Sequence, residues 1–287
     1  SLAILRHFEA SDERIRLVSR PNTGYVTALN EMLEMARGRF LARMDADDFA
    51  MPNRFSVQRS FLANNPQVSA VGSNVEFIDS RGRFLRLEQT AHHDEEIQDR
   101  LLRGECPICH PAVMMRAETV RKIGGYRTDR EPAEDRDLWL RLGEIAELAN
   151  IPQTLLKYRL HRDSVSETRR SDQVLNMRNT CEDAWERRGI SGKFTAKTEI
   201  RPGLGRRSKF EFELKYGWWA LKSGERRTSL SYARSAIAMM PWRPEGWQLL
   251  KAGLAPERFI QASSRRIEPD ATSSLTRTSD AVARRPR

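Results

Sequence analysis

Residues 40–44, apolar except for Arg43, form a stretch of strand length that runs directly into Asp45-Ala46-Asp47-Asp48, three carboxylates within four residues. Like charges this close repel unless a counter-charge meets them, and hard oxygen ligands in such a cluster suit Mg2+ or Mn2+. The chain must therefore fold so that this strand ends at an edge reached by cations or solvent. Upstream, Pro21-Asn22-Thr23-Gly24 is turn chemistry, and Val26, Leu29 and Leu33 fall at helical spacing over residues 25–37, stopped by Gly38. Downstream, Pro52 opens a helix running to about Asn64. This strand, helix, strand rhythm predicts an α/β sheet of mostly parallel strands, with ligands beyond their carboxyl ends. The acids fall at that edge.

The same reading predicts a short strand at residues 15–19 and a strand at 68–78, with a hairpin partner at 83–87 after Ser80-Arg81-Gly82. It predicts a helix over 93–103, a strand at 112–116, and a helix over 117–123 stopped by Gly124-Gly125. A helix over 134–148 and a last strand at 155–161 complete the domain. Beyond Ser166 the pattern turns helical, at 171–188, 209–223, 228–240 and 244–253. The pair around Gly224 reads equally as a single tetratricopeptide-like repeat or as a helical hairpin docked on the main domain. From Ala262 onward Ser, Thr, Pro and Arg dominate, which predicts a disordered basic tail. The expected organisation is thus 1–166, a helical region 167–261, and a tail 262–287.

Charge divides the chain in the same place. Residues 1–166 carry a formal −1 and residues 167–287 carry +11, within a total of +10. A basic region of this kind faces an anionic surface, unless an Arg-rich coding bias alone accounts for it. Of the anionic partners, a peripheral contact with an anionic membrane is expected and specific nucleic-acid binding is not. No apolar run reaches the roughly 18 residues needed to span a bilayer. The opening residues lack the pattern of a signal peptide, and three cysteines are too few for a disulfide framework. The expected location is the cytoplasm, peripheral at the inner face of the membrane. The first residue is not Met, so the chain is expected to be N-terminally incomplete.

Singly, the chemical motifs are ambiguous. Asp45 and Asp47 are a metal-binding pair or an acidic surface turn. Glu134-Asp135 is a general base or the usual acidic partner of a helix N-terminus. His161, ending Tyr158-Arg159-Leu160-His161, is a ligand or a surface residue. Cys106-Pro107-Ile108-Cys109-His110 spells a haem-attachment pattern without the export signal such attachment needs, and reads as two ordinary cysteines.

Taken together and in order, these motifs resemble the family 2 glycosyltransferases, inverting nucleotide-sugar enzymes of the GT-A fold. The resemblance rests on Arg20-Pro21-Asn22-Thr23-Gly24 with Ala28-Leu29-Asn30, on residues 38–48 with Pro52 and Arg54, and on His110-Pro111. It continues through Gly124-Gly125-Tyr126, Ala133-Glu134-Asp135-Arg136-Asp137, and Tyr158-Arg159-Leu160-His161. It implies a Rossmann-like mixed, mostly parallel sheet flanked by helices. It also implies donor contacts at Asn22, Gly24, Asn30, Asp45, Asp47 and Asp48, and a metal held by Asp47 and His161. Asp135 matches the base with Glu134 beside it, and His110, Gly124 and Gly125 fall near the acceptor and sugars.

The family normally begins with strands ending in Pro-x-Tyr-Asn and Asp-Asp-Gly-Ser. Here Ser1-Leu2-Ala3-Ile4-Leu5 resembles the helix that follows them, so the nucleobase-binding aspartate is expected to be missing. The implied activity is transfer of a sugar, UDP-linked by expectation, to a glycan or lipid-linked acceptor in cell-surface polysaccharide or glycoconjugate synthesis. The rival readings are a nucleotidyltransferase, which would need a Gly-rich phosphate loop not visible here, and an inactive remnant serving as a binding scaffold.

Overall fold

The structure, a computed structural model, describes residues 2–161, 170–196 and 205–255. The chain divides into two compact units, Ser1–Ser208 and Lys209–Arg287.

In the first unit the strands are β1 (Phe40–Ala42), β2 (Phe49–Ala50), β3 (Val68–Ile78), β4 (Phe84–Glu88), β5 (Met114–Arg116) and β6 (Glu147–Arg159). The helices are α1 (Leu2–Ser11), α2 (Tyr25–Met35), α3 (Arg54–Asn64), α4 (Asp94–Leu102), α5 (Ala117–Lys122), α6 (Glu134–Leu142) and α7 (Arg170–Arg188). The sheet runs in the order β1-β5-β3-β6-β2, with β4 paired to β3. It is mixed, as expected, but not mostly parallel. Only β3 and β6 run parallel among the described strands, and the other pairings are antiparallel. Local apolar pattern does not encode strand direction; it is set by partners far along the chain, β3 and β1 for β5, and β6 for β2.

Side chains alternate across the sheet as the strand period requires. Ala70, Met115 and Leu148 enter a core with Val26, Ile97, Leu101, Leu138 and Trp139, under α2, α4 and α6. Their immediate neighbours Val71, Met114 and Ala149 enter a second core with Leu62 of α3. The sheet is thus covered by helices on both faces. Two local expectations fail. Residues 15–19 take no regular structure, and the helix expected over 134–148 stops at Leu142, with Ile145 exposed.

Helix α7 belongs to the first unit, which therefore extends past the expected boundary at 166. Ala184 joins the main core, Asp183 pairs with Arg127 and Arg130, and Trp185 Nε1 donates to the Leu102 carbonyl at 3.1 Å. In the second unit α8 (Arg206–Lys222, from Lys209 onward), α9 (Arg226–Met239) and α10 (Pro244–Leu254) pack around Leu221, Ala233 and Leu249. Gly217 permits the close approach, because a Cβ there would lie 2.3 Å from Leu249 Cδ2. The tail expected at 262–287 lies outside the described residues.

Candidate active site

The acid cluster sits where β1 ends. Arg54, fully buried at the start of α3, holds that end in place: its Nη2 donates to the carbonyls of Arg43 (2.7 Å) and Val113 (3.3 Å). Burial pushes the Arg54 pKa down to about 10. The three aspartates then diverge in role. Asp45 Oδ2 accepts from Arg43 Nη1 at 2.5 Å. Asp47 Oδ2 meets His161 Nε2 at 2.9 Å, 114 residues along the chain. Asp48 is buried, and its Oδ1 accepts the backbone N–H of Arg159 at 2.8 Å, which ties the cluster to β6. Burial pushes the Asp48 pKa up, and the charges of Asp45 and Asp47 add to it, to about 7. Asp48 Oδ1 thus anchors the turn.

The first turn of α6 also sorts its acids. Glu134 is 5% exposed, and its Oε2 accepts the Tyr25 hydroxyl at 2.6 Å. Burial first, then the neighbouring charge of Asp135, pushes its pKa up to about 7. Asp135 Oδ1 accepts the Arg136 N–H at 2.8 Å, while Oδ2 lies 3.7 Å from Cys106 Sγ. Asp137 is fully buried and paired with Arg141 at 2.6 Å and Arg127 at 3.4 Å.

Arg43 joins the two acid groups. Burial works against its charge, but Asp45, Tyr126 and Asp135 more than offset this and raise its pKa. The field of Arg43 also reaches Glu134 and Asp48. Sequence reasoning missed both Arg43 and Tyr25. Arg43 was signalled only by a cation two residues before an acid cluster; Tyr25 carried no local signal.

Several other expected site residues also bond within the protein. The Asn30 amide is used at both ends by the Tyr126 backbone, accepting its N–H at 2.9 Å and donating to its carbonyl at 2.8 Å. Gly125, at φ +69°, packs on that helix, with Asn30 Oδ1 2.8 Å from where a Cβ would stand; Gly124 faces open space. His110 is buried, its Nε2 2.9 Å from the Tyr126 hydroxyl, with Trp139 edge-on. Burial, then the charge of Arg43, pushes its pKa down to about 3, so the ring is neutral and part of the core. Asn22 Oδ1 accepts the Gly24 N–H at 3.0 Å and shapes the turn before α2. Beside that turn lies an open groove of about 400 Å³ lined by Arg20, Thr23, Thr27, Asn30, Glu31 and Glu34.

No three His, Cys, Asp or Glu side chains among the described residues stand close enough to cage a metal ion by themselves. The Asp47–His161 pair fits the other mode, in which Mg2+ or Mn2+ takes one or two protein ligands and completes its shell from substrate phosphates and water.

Residues 1–124 match the family model described as Glycosyl transferase family 2. The amylovoran biosynthesis glycosyltransferase AmsE of Erwinia amylovora is 34% identical over 149 residues, covering 52% of this chain and 55% of that protein. The O-antigen biosynthesis glycosyltransferase WbnJ of Escherichia coli is 28% identical over 167 residues, 57% of this chain and 64% of that one. A mannosyltransferase of Pyrobaculum calidifontis, solved with GDP-Man and Mn2+, superposes with a TM-score of 0.46 at 15% identity, over 91% of this chain and 70% of its own. The chain spans about half the length of the first curated relatives it matches, 54% in two cases and 55% in a third. Through the segment that carries the turn before α2, the acid cluster after β1 and the Gly124 turn, the chain is similar to glycosyl transferase family 2.

Proposed function

We propose that the chain moves a sugar from a nucleoside-diphosphate donor, a UDP-sugar first among the candidates, to a hydroxyl of a glycan or lipid-linked acceptor. The reaction is one displacement with inversion at the anomeric carbon, in cell-surface polysaccharide or glycoconjugate assembly. The observation that carries this reading is that Arg43 bonds Asp45 in the acid cluster and acts electrostatically on Asp135 at the start of α6, so one partly buried cation links the donor-side acids to the carboxylate suited to taking a proton. The amylovoran and O-antigen relatives support the polysaccharide setting.

Asp47 and His161 would hold Mg2+ or Mn2+, which when bound neutralises charge on the departing diphosphate. Asp45, kept in place by Arg43, borders the donor. Asp135 Oδ1 accepts the Arg136 N–H, and Oδ2, set among the described residues against only the weak thiol donor of Cys106, is the atom that takes the acceptor hydroxyl proton as the oxygen attacks. The Asn22–Gly24 turn shapes the donor side. The site of action in this reading is cytoplasmic, with peripheral contact to an anionic membrane. No helix among the described residues is long and apolar enough to cross a membrane.

The test is a panel of UDP-, GDP- and dTDP-sugars with Mn2+ or EDTA and glycan or lipid-linked acceptors, read as nucleoside diphosphate released with transfer. Metal-dependent release from one donor class supports the reading. Pyrophosphate release from nucleoside triphosphates would instead establish a nucleotidyltransferase.

A further inference from the structure

The start of α6 is built without the usual device. Ala133 occupies its N-cap and supplies no side-chain hydrogen bond, so nothing in the cap itself fixes the first turn. That turn nevertheless carries two adjacent carboxylates, Glu134 and Asp135, whose mutual repulsion would splay them if both faced the same space. What holds it is a bond from another helix. Tyr25, the first residue of α2, has its ring against the main core and its hydroxyl 2.6 Å from Glu134 Oε2, 109 residues away.

We propose that Tyr25 is a positioning residue for the acceptor-side carboxylates: it pins Glu134 into the seam between α2 and α6 and so leaves Asp135 as the carboxylate that faces the cleft. This rests on the transfer reading above, and it goes beyond it by separating the two acids. Glu134 is buried and held by a phenol hydroxyl; Asp135 is more exposed, its Oδ2 set against the weak thiol donor of Cys106. The bond also has reach. Tyr25 directly follows the Asn22-Thr23-Gly24 turn, so one hydroxyl ties the donor-side turn to the acceptor-side helix.

The charged and titratable groups around the pair set the sign of its response to pH. Asp135 on the same helix raises the Glu134 pKa, and Arg43 beyond β1 lowers it. Glu131, ahead of α6, acts with Glu134 and Asp135 on Tyr25, and burial keeps that hydroxyl protonated as a donor. Arg136 feels the charge of both acids. The Tyr25 bond favours ionised Glu134, so removing it must raise the Glu134 midpoint.

The experiment follows carboxyl 13C shifts against pH in wild type, Tyr25→Phe and Asp135→Asn. Tyr25→Phe should move the Glu134 midpoint up and Asp135→Asn should move it down; a midpoint unmoved by Tyr25→Phe overturns the proposal. This arm needs no turnover. With a donor and acceptor identified by the panel, Tyr25→Phe should lower kcat about ten-fold, the scale of one lost hydrogen bond, with donor KM nearly unchanged. Glu134→Gln still accepts the Tyr25 bond and should keep most of the activity, whereas Glu134→Ala should behave like Tyr25→Phe. If Glu134→Gln is as inactive as Asp135→Asn, Glu134 is itself the base and the proposal is overturned. That outcome stays readable even if Tyr25→Phe does not fold. A panel with no turnover at all defeats the transfer reading, while the titration still decides the role of Tyr25.

Discussion

Asp137 lies fully buried between Arg141 and Arg127, whereas Asp135, two positions earlier on the same helix, is partly exposed and among the described residues pairs only with the Arg136 N–H and the Cys106 thiol at hydrogen-bond distance. Asp137→Ala would strand the Arg141 guanidinium, whose other bonds run to the carbonyls of Ile123 and Gly125. Losing one partner of a buried pair costs about 3 kcal/mol, readable as a lower urea midpoint. Asp135→Asn should leave that midpoint and donor affinity nearly unchanged and suppress transfer, because a base acts on the acceptor proton in the transition state. Asp47→Ala should instead lose metal-dependent donor binding, seen by calorimetry with a nucleoside diphosphate and Mn2+. Equal loss of donor affinity in both variants would sink the division of roles.

Glu134 adds a pH signature to the same turn. Its folded-state pKa, about 7, stands above the ordinary 4.5, so the folded protein binds that proton more tightly than the unfolded chain does. The stability this contributes is fully present below about pH 4.5 and is lost as pH rises through 7, a change on the order of 3 kcal/mol. Denaturation midpoints measured at several pH values should show that decline in wild type and a flatter profile in Glu134→Gln.

At the scale of elements, α2 is the hinge of the site's construction. Asn30 grips the Tyr126 backbone in both directions, and Gly125 lets the chain come close enough for it to do so. Asn30→Ala should therefore cost about 2 kcal/mol of stability, from two half-buried hydrogen bonds, and leave nucleotide affinity alone. A fall in affinity without a fall in stability would return Asn30 to the donor. Element existence was legible in the sequence wherever apolar spacing was clear. The strand expected at 68–78 is β3 to the residue, and the helices at 25–37 and 93–103 shift only at their ends. The run over 134–148 misled because Ile145 continues the apolar spacing past Gly143, although the chain already turns there toward β6. Strand direction, the Arg43 bridge and the Tyr25 bond were not legible, since each depends on partners far away in the chain. The acids were visible as a cluster, but only packing separates the buried Asp48 from Asp47.

For the whole molecule, the charge asymmetry is the feature that the site leaves unused. Residues 167–287 carry +11, and the described part of the second unit exposes Trp242, Trp247 and Leu254. Trp247, Lys251 and Leu254 recur at helical spacing along α10, an exposed stripe that combines apolar surface with a cation. Trp favours the boundary between headgroups and acyl chains, and each basic side chain near an anionic leaflet adds roughly 1 kcal/mol. The chain should therefore co-sediment with phosphatidylglycerol vesicles and not with phosphatidylcholine vesicles. Because exposed charges are screened over roughly 8 Å at physiological ionic strength, raising the salt should release most of it. Trp247→Ala should weaken what persists at high salt without altering transfer to a soluble acceptor. Binding that ignores both lipid charge and salt would assign the asymmetry to coding bias, whereas salt-sensitive capture would place the lipid-linked end of an acceptor within reach of a docked enzyme.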